Sequence, residues 1–563
     1  MIAARCRYLR AATFVIDAFD LATALLMATL LVLVLATFTE YAISNDEGVQ
    51  HQYGELIIAY YKSGFADRSV FDFQNLYLYG GLFDIIAVLL AHLFPFDPYD
   101  IRHLMSALAG LGGIAATSAT ARMIAGPRAG LLAGLALAVC GVWYGGMFNH
   151  TKDVPFAAAM MGATYYLMRG ARDLPHLRRR DTLLFGLLLG AALGLRATGL
   201  LMVGYLGPVI ALAAWTTAKP DWRAAAHLFA RSLMRFIPAL ALAYIIMIVS
   251  WPWASLDLFN PVRAIFAFAH FHYPVRTVMD GTVYLMSDVP RWYEPEYLAI
   301  KVPLIVLIGA GAAALSAAWS AASRAGRTGT LEVAILLFTI VFPLTCQVIG
   351  HGPSFTGMRH FLFVLPPLTA LAGIGVQVGL SYFERRGRMV GGAALAAVTV
   401  AFGFDATALV RLHPYEYLFY NSLVGGLPGA SRRYATDYWV NIMPAAVKDL
   451  EAYLDATDHG VDPLRLRQFT VGVCGERVSF ENEADRRLRW TSDWDHADFF
   501  IAPTHMNCDQ VLRGKVVDVI ERLGVPIGVV KDLRGLSPQA RWAPVEVAHG
   551  PPDSADAHAS PHG

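Results

Sequence analysis

Charged residues are scarce in this chain of 563 residues. Asp, Glu, Lys and Arg make up 16% of it, whereas soluble domains average about 25%. The 45 basic and 44 acidic residues nearly cancel, so no net field attracts a polyanion. The five cysteines include no CxxC pair and are too few for a disulfide scaffold. These features exclude an ordinary cytosolic enzyme and a nucleic-acid-binding protein.

Apolar residues, in contrast, are abundant. They form 56% of the chain, and the mean hydropathy is +0.45. A single hydrophobic core stops growing beyond roughly 250–300 residues, so a core cannot absorb this much apolar surface. The composition therefore predicts a polytopic membrane protein.

Eleven apolar segments are long enough to approach or cross about 30 Å of hydrocarbon. They are, roughly, residues 21–38, 103–124, 129–147, 153–169, 183–196, 198–216, 233–253, 298–319, 331–350, 358–380 and 389–410.

The distribution of Lys and Arg predicts the orientation of these spans. If the amino terminus is cytoplasmic, the inner segments hold nineteen basic residues, and the short outer loops hold only Lys152, Arg196 and Arg359. Counting the apolar run 79–95 as a further span would reverse most of this asymmetry. We therefore expect 79–95, which carries Asp84, to lie in or dip into the outer interface.

Three regions are predicted on this basis. Residues 1–410 form the transmembrane region, with outer loops 39–102 and 254–297. Residues 411–548 form a small α/β domain, with strands at 469–473, 499–502 and 527–530 and helices near 441–456 and 508–523. Residues 549–563 have the composition of a disordered tail. Eleven spans from a cytoplasmic amino terminus place the α/β domain on the outer side, which is the periplasm if the membrane is a bacterial inner membrane.

The same topology gathers polar residues at the outer face, where charged groups are costly and suggest a functional site. Each residue also has a simpler explanation. Asp153 suits a helix N-cap, Arg196 and Arg359 could reach bulk lipid phosphates, and aromatic residues near Tyr293 suit an interface belt. Together they fit one chemistry: an aspartate can deprotonate a hydroxyl or hold a divalent cation, Mg²⁺ or Mn²⁺. Basic residues at the same depth can bind a lipid-linked phosphate.

The sequence resembles the GT-C glycosyltransferases, specifically the family 39-like group that includes protein O-mannosyltransferases and the aminoarabinose transferase of lipid A. Asp46-Glu47 stands where that group carries a catalytic Asp-Glu pair, and Asp153 stands at its second-loop acid. Arg196 takes the basic position of a later motif, and Arg359 precedes Leu365-Pro366-Pro367-Leu368, which is similar to another family segment. The resemblance implies a GT-C-like, mostly α fold. It also implies transfer of a sugar from a polyprenyl-phosphate donor to a lipid, glycan or protein hydroxyl.

The candidate site residues follow from the resemblance and the outer clusters. They are the catalytic candidates Asp46, Glu47 and Asp153; the donor-phosphate candidates Lys152, Arg196 and Arg359; the substrate-binding candidates His51, Tyr53, His150, Tyr293, Glu296 and His360; and the metal candidates Asp46 and Asp153.

Two other functions remain open from the sequence. A multi-spanning lipid or solute transporter would be expected to show paired broken helices in two similar halves, which we do not find. A non-catalytic scaffold presenting the α/β domain would not depend on Asp46.

Two cysteines of the α/β domain follow its strands. Cys474 comes directly after 469–473, and Cys508 follows 499–502 by a short loop. If these strands are parallel neighbours, both cysteines emerge at one edge of the sheet. We predict a Cys474–Cys508 disulfide, with two free thiols as the alternative.

Overall fold

The computed structural model describes residues 17–271, 273–322, 329–457 and 468–542. The basic amino-terminal segment and the predicted tail 549–563 lie outside the described residues. The longer helices, in chain order, are Ala18–Thr37, Glu47–Lys62, Leu82–Leu93, Pro98–Ala125, Pro127–Ala138, Asp153–Arg172, Arg179–Leu193, Leu200–Ala218, Trp222–Ser250, Asn260–Ala269, Tyr293–Lys301, Leu304–Ala322, Thr330–Gly350, Leu365–Glu384, Arg388–Leu412 and Met443–Thr457. Short helices lie at Gly141–Tyr144, Gly146–Asn149, Pro252–Leu256, Gly426–Ala430, Arg477–Glu483 and Pro538–Arg541.

The mostly α fold with a small carboxyl-terminal α/β region is confirmed. Among the described residues, eight helices are long and apolar enough to cross a membrane. The bent pair Pro127–Ala138 and Gly141–Asn149, whose axes differ by 71°, could form a ninth span. Asp153–Arg172 and Arg179–Leu193 correspond to predicted spans but do not meet the same criteria of length and hydropathy. Eleven spans therefore remain a prediction.

Several predicted boundaries move for identifiable reasons. The predicted span 298–319 is broken, because Tyr293–Lys301 ends before Pro303 and a new helix begins at Leu304. Proline has no backbone N–H and so favours a helix start. The apolar run 79–95 contains a helix of only 12 residues, Leu82–Leu93. At about 1.5 Å per residue it is too short to cross the hydrocarbon.

The helix Leu365–Glu384 lies at the centre of the bundle. In the segment Arg359–Glu384, which adds the preceding turn, 83% of an apolar stretch of 18 residues is buried. Small residues let its neighbours approach closely. A Cβ atom on Gly375 would lie only 1.8 Å from the carbonyl oxygen of Gly309, so this helix crossing requires glycine. A 3₁₀ turn, Arg359–Val364, leads directly into the central helix. This turn holds Arg359 at the amino-terminal end of the buried helix Leu365–Glu384.

The seven strands of the described residues form two sheets. β1 (Arg276–Met279) and β2 (Thr282–Leu285) make an antiparallel hairpin in the loop before Tyr293. The carboxyl-terminal sheet has the order β4-β3-β5-β7-β6. Its members are β3 (Phe469–Val473), β4 (Leu488–Trp490), β5 (Phe499–Pro503), β6 (Lys515–Arg522) and β7 (Val525–Asp532).

The predicted helix at 508–523 is wrong. This stretch contains a 3₁₀ turn and then β6, which pairs with β7 across the two-residue turn Leu523–Gly524. Both turn residues have positive φ, 52° and 74°, as a tight hairpin requires. The β-branched residues of β6 favour a strand, and hydrogen bonding to β7 stabilises that conformation over a helix.

The predicted disulfide is confirmed. β3 and β5 are parallel neighbours, so their carboxyl ends meet at one edge of the sheet. Cys474 and Cys508 are bonded there, with Cα atoms 6.6 Å apart, within the range that a disulfide can bridge.

Candidate functional site

Residues distant in the sequence meet where several helices begin. Asp46 lies immediately before the helix Glu47–Lys62, and Asp153 is the first residue of the helix Asp153–Arg172. Arg196 lies in the break between the helix ending at Leu193 and the 3₁₀ turn Ala197–Gly199. With Arg359 and His150, these residues form what we call the aspartate–arginine cluster. Its members are Asp46, His150, Asp153, Arg196 and Arg359.

Arg359 lies between the two aspartates. Its Nη2 donates a hydrogen bond to Oδ2 of Asp46 at 2.8 Å, and its Nε is 3.8 Å from Oδ2 of Asp153. Arg196 forms an ion pair with Oδ1 of Asp153 through its own Nη2. Two guanidinium groups therefore converge on Asp153, while Arg359 is the single cation among the described residues that pairs with Asp46.

The two aspartates differ in exposure. The side chain of Asp46 is 37% exposed, whereas that of Asp153 is only 6% exposed. Both oxygens of Asp153 face cationic or N–H groups, while Asp46 shares only Oδ2 with Arg359. Asp46 is consequently the carboxylate that a solute could reach.

His150 is the most deeply buried member of this cluster. Its Nε2 accepts a hydrogen bond from Nε1 of Trp439 at 2.9 Å and is 3.0 Å from the hydroxyl of Tyr438. Its Nδ1 is 3.5 Å from Oδ2 of Asp153. The carboxyl-terminal region thus contributes two aromatic residues to the site. The sequence reasoning did not place them at the site.

Glu47 occupies a different environment from its neighbour Asp46. Its side chain is fully buried, and Oε2 accepts a hydrogen bond from the backbone N–H of Ser44 at 2.8 Å. The same oxygen is 3.2 Å from Nε2 of His103, and Oε1 is 3.9 Å from Nε of Arg102. Glu47 therefore holds the turn that carries Asp46 and is not open to a ligand.

Lys152 is also buried, at 4% exposure, with its Nζ 3.1 Å from Oδ2 of Asp84. Asp84 in turn accepts a hydrogen bond from Arg102 at 2.8 Å. Arg102 donates a further hydrogen bond to Gln50 at 2.9 Å, which also accepts one from Thr151 at 2.7 Å. The sequence reasoning missed this network. The available signal was the presence of charges in apolar helices, where a buried ion needs a partner.

The remaining candidates are only partly drawn together. His360 accepts a 3.3 Å hydrogen bond from Nε of Arg359, and Tyr53 lies 5.4 Å from Nζ of Lys152, measured to the ring centroid. His51 instead faces Glu55 at 3.7 Å.

Two further candidates lie in later loops. The hydroxyl of Tyr293 is 2.8 Å from the hydroxyl of Thr277, and Glu296 accepts a hydrogen bond from Tyr434 at 2.8 Å. Tyr293 and Glu296 thus connect loops to each other, and the described contacts do not join them to the cluster.

The residues do not fit a cation held between Asp46 and Asp153. Arg359 reaches both carboxylates, and Arg196 and His150 face the remaining sides of Asp153. Within the described ranges, no group of three or more His, Cys, Asp or Glu side chains is arranged to hold a metal ion.

Two titratable groups outside the spans lie behind the aromatic pair. Burial raises the pKa of Asp437 to about 6, although Tyr417 and the backbone N–H groups of Asn441 and Ile442 donate to its carboxylate. Burial lowers the pKa of His505 to about 4. His505 is therefore neutral at physiological pH, and its Nδ1 can accept the hydrogen bond from the N–H of Thr436 at 3.3 Å.

The family model described as dolichyl-phosphate-mannose-protein mannosyltransferase matches residues 82–255, which include Lys152, Asp153 and Arg196. The match confirms the predicted resemblance to the GT-C glycosyltransferases. The apolar helices of the described residues indicate a multi-pass membrane protein.

Solved structures with a similar course of the chain include ArnT from Cupriavidus metallidurans bound to undecaprenyl phosphate. The identity is 17%, the coverage is 92% of this chain and 98% of that chain, and the TM-score is 0.46. The oligosaccharyltransferase AglB from Archaeoglobus fulgidus, in complex with an inhibitory peptide and a dolichol-phosphate, shares 10% identity. That likeness covers 85% of this chain and 69% of that chain, with a TM-score of 0.40. At TM-scores below 0.5, these likenesses carry no conclusion about activity. No curated protein matches the sequence significantly.

Proposed function

We propose that this protein is an integral membrane glycosyltransferase that moves a sugar from a polyprenyl-phosphate donor to a hydroxyl acceptor on the periplasmic side of the membrane. The observation that carries the proposal is the exposed carboxylate of Asp46, held 2.8 Å from the guanidinium of Arg359. A base and a phosphate-binding cation are thereby adjacent in a site built at the ends of apolar helices.

In the proposed reaction, the acceptor hydroxyl transfers its proton to the free Oδ1 of Asp46 while its oxygen attacks the anomeric carbon. The bond between that carbon and the phosphate oxygen breaks, and polyprenyl phosphate leaves with the bonding electron pair. Arg359 and Arg196 bind the departing phosphate, for which guanidinium groups are well shaped. The proton moves to Asp46 and the negative charge moves to the departing phosphate, so the step needs no further reactant.

The other candidates act behind this centre in the proposal. Asp153 orients the two arginines, because its carboxylate contacts both. Glu47 holds the turn carrying Asp46, and Lys152 stabilises the buried network around Asp84. Of the substrate-binding candidates outside the cluster, His360 borders the site, because its imidazole accepts a hydrogen bond from Arg359.

The experiment starts from a deletion strain. Mass spectrometry of its lipids should detect an accumulated polyprenyl-phosphate sugar, together with an envelope component that lacks that sugar. Complementation by the wild type should reverse both changes, and Asp46→Asn should not. Asp67→Asn, at an exposed aspartate of the same outer loop, is the matched control and should complement fully.

Two outcomes would overturn the proposal. Full complementation by Asp46→Asn would remove the catalytic assignment. If the protein moved the polyprenyl-phosphate sugar from one membrane leaflet to the other without cleaving the sugar from the lipid, it would be a transporter instead.

A further inference from the structure

The segment Thr436–Asn441 of the carboxyl-terminal region enters the aspartate–arginine cluster in a constrained conformation. Asp437 accepts hydrogen bonds from the N–H groups of Asn441 at 2.9 Å and Ile442 at 3.1 Å. Val440 has a φ of 58°, a left-handed conformation that is a genuine outlier for a β-branched residue. Such strain persists only where the surroundings over-determine it, and it concentrates at functional sites.

The contact from Trp439, the residue before Val440, shows which nitrogen of His150 carries a proton. An indole N–H can only donate a hydrogen bond, and it points at Nε2 of His150 from 2.9 Å. Nε2 must therefore be the unprotonated nitrogen, and the proton of the neutral ring lies on Nδ1. Nδ1 faces Oδ2 of Asp153 at 3.5 Å. The indole thus directs a proton of His150 toward the carboxylate that orients both arginines.

The indole ring has a second contact. The central guanidinium carbon of Arg359 lies 4.6 Å from the centroid of the Trp439 ring. A guanidinium held over an indole face is attracted by the ring quadrupole, and the attraction is stronger when the pair is shielded from water. The Arg359 side chain is 10% exposed, so the stack restricts it to the orientation that reaches Asp46.

We propose that Trp439 is a positioning residue of the transfer reaction, and that the site is complete only when Thr436–Asn441 is seated against His150 and Arg359. The indole N–H fixes His150 and, through it, Asp153. The indole face fixes Arg359. The kinetic part of this inference rests on the proposed function, while the protonation of His150 can be tested without it.

Two substitutions separate the two contacts. Trp439→Phe keeps an aromatic face over Arg359 but removes the N–H. Trp439→Leu removes both. We expect Trp439→Phe to lower kcat about tenfold, which corresponds to about 1.4 kcal/mol. The KM for the lipid-linked sugar extracted from the deletion strain should change less than twofold. Trp439→Leu should also raise the donor KM, since Arg359 loses its support.

Trp490→Phe is the matched control. Trp490 belongs to β4 of the same domain and also packs against an arginine, with the guanidinium carbon of Arg477 5.1 Å from its ring centroid. Its kcat and KM should equal those of the wild type. Equal kinetic constants for Trp439→Phe and the wild type would overturn the positioning role.

The protonation of His150 is measured by ¹⁵N-histidine NMR on the full-length protein, with its signals assigned by their loss in His150→Gln. The wild type should show a protonated Nδ1 and an unprotonated Nε2. The double variant Tyr438→Phe/Trp439→Phe, which removes both groups facing Nε2, should show a mixture of tautomers. A wild-type signal with the proton on Nε2, or no change in the double variant, would overturn the inference even if no transfer activity were found.

Discussion

Arg359 and Asp46 are 313 positions apart in the sequence, yet Nη2 of the arginine lies 2.8 Å from Oδ2 of the aspartate. The pair combines a fixed cation with the one aspartate of the cluster that is substantially exposed. Arg359 is held at the start of the central helix, and Asp46 is held by the buried carboxylate of Glu47. The geometry of the site is thus set by elements that are themselves rigidly packed.

Replacement of Arg359 tests the phosphate contact. Arg359→Lys keeps the charge but cannot bridge two carboxylates and stack on Trp439 as a planar fork. We expect the donor KM to rise about tenfold or more, with a larger effect in Arg359→Ala. Donor titrations of the purified protein would measure this. A donor KM equal to that of the wild type in Arg359→Ala would contradict a phosphate contact.

Asp153→Asn tests whether the two aspartates have different roles. The neutral amide leaves Arg196 and Arg359 without their shared counter-ion, so donor binding should weaken. Asp46→Asn should instead abolish transfer while donor binding persists. Isothermal titration with donor lipid, paired with turnover measurements, separates the two effects. Loss of turnover with unchanged donor binding in both variants would reject distinct roles.

His413 predicts a pH-dependent stability. Hydrogen bonds to Glu416 and Glu40, each 2.6 Å long, raise the pKa of its imidazole to about 9. A raised histidine pKa stabilises the folded state fully below the ordinary pKa of about 6.5, and this contribution is lost as pH rises through 9. We expect a loss of about 2 kcal/mol, allowing for solvent screening. The apparent melting temperature of the wild type should therefore fall between pH 6.5 and 9 more than that of His413→Gln. Parallel curves for the two proteins would contradict the prediction.

Removal of the disulfide tests the stability of the carboxyl-terminal domain. The bond joins residues 34 positions apart, and its loss in Cys474→Ser/Cys508→Ser should cost about 3 kcal/mol. Limited proteolysis of the full-length protein across a urea gradient would detect earlier cleavage in this domain. Cys346→Ser, at an exposed free cysteine, is the control and should behave as the wild type. Identical cleavage midpoints would show that the bond adds no stability.

Fusion reporters test the predicted orientation. A reporter placed after Arg180 or Arg386 should give a cytoplasmic signal, because basic residues concentrate in these loops. A reporter after Trp542 should give a periplasmic signal. A cytoplasmic signal at Trp542 would place the carboxyl-terminal domain on the wrong side and contradict an outside location for Asp46 as well.

The sequence determined the properties that depend on local pattern. Hydropathy and length predicted the membrane class and most of the apolar helices, because any segment must satisfy its own backbone in lipid. The alternation of strands in the carboxyl-terminal region predicted β3, β5 and the core of β7. It also predicted the pairing of Cys474 with Cys508, since parallel neighbours end at the same edge. The stretch 508–523 could not be predicted in this way, because its strand conformation depends on pairing with β7.

The tertiary structure decided which polar side chains meet. Asp46 and Glu47 are adjacent in the sequence, yet one is exposed and the other fully buried, because they lie on opposite sides of a turn at a helix start. Lys152 pairs with Asp84 instead, and Trp439, from the carboxyl-terminal region, contacts His150 and Arg359. These contacts depend on how helices and domains pack over hundreds of residues. The local sequence pattern carries no information about such long-range packing. The sequence therefore predicted the residue types that the chemistry needs, and only the tertiary structure showed which of them are in contact.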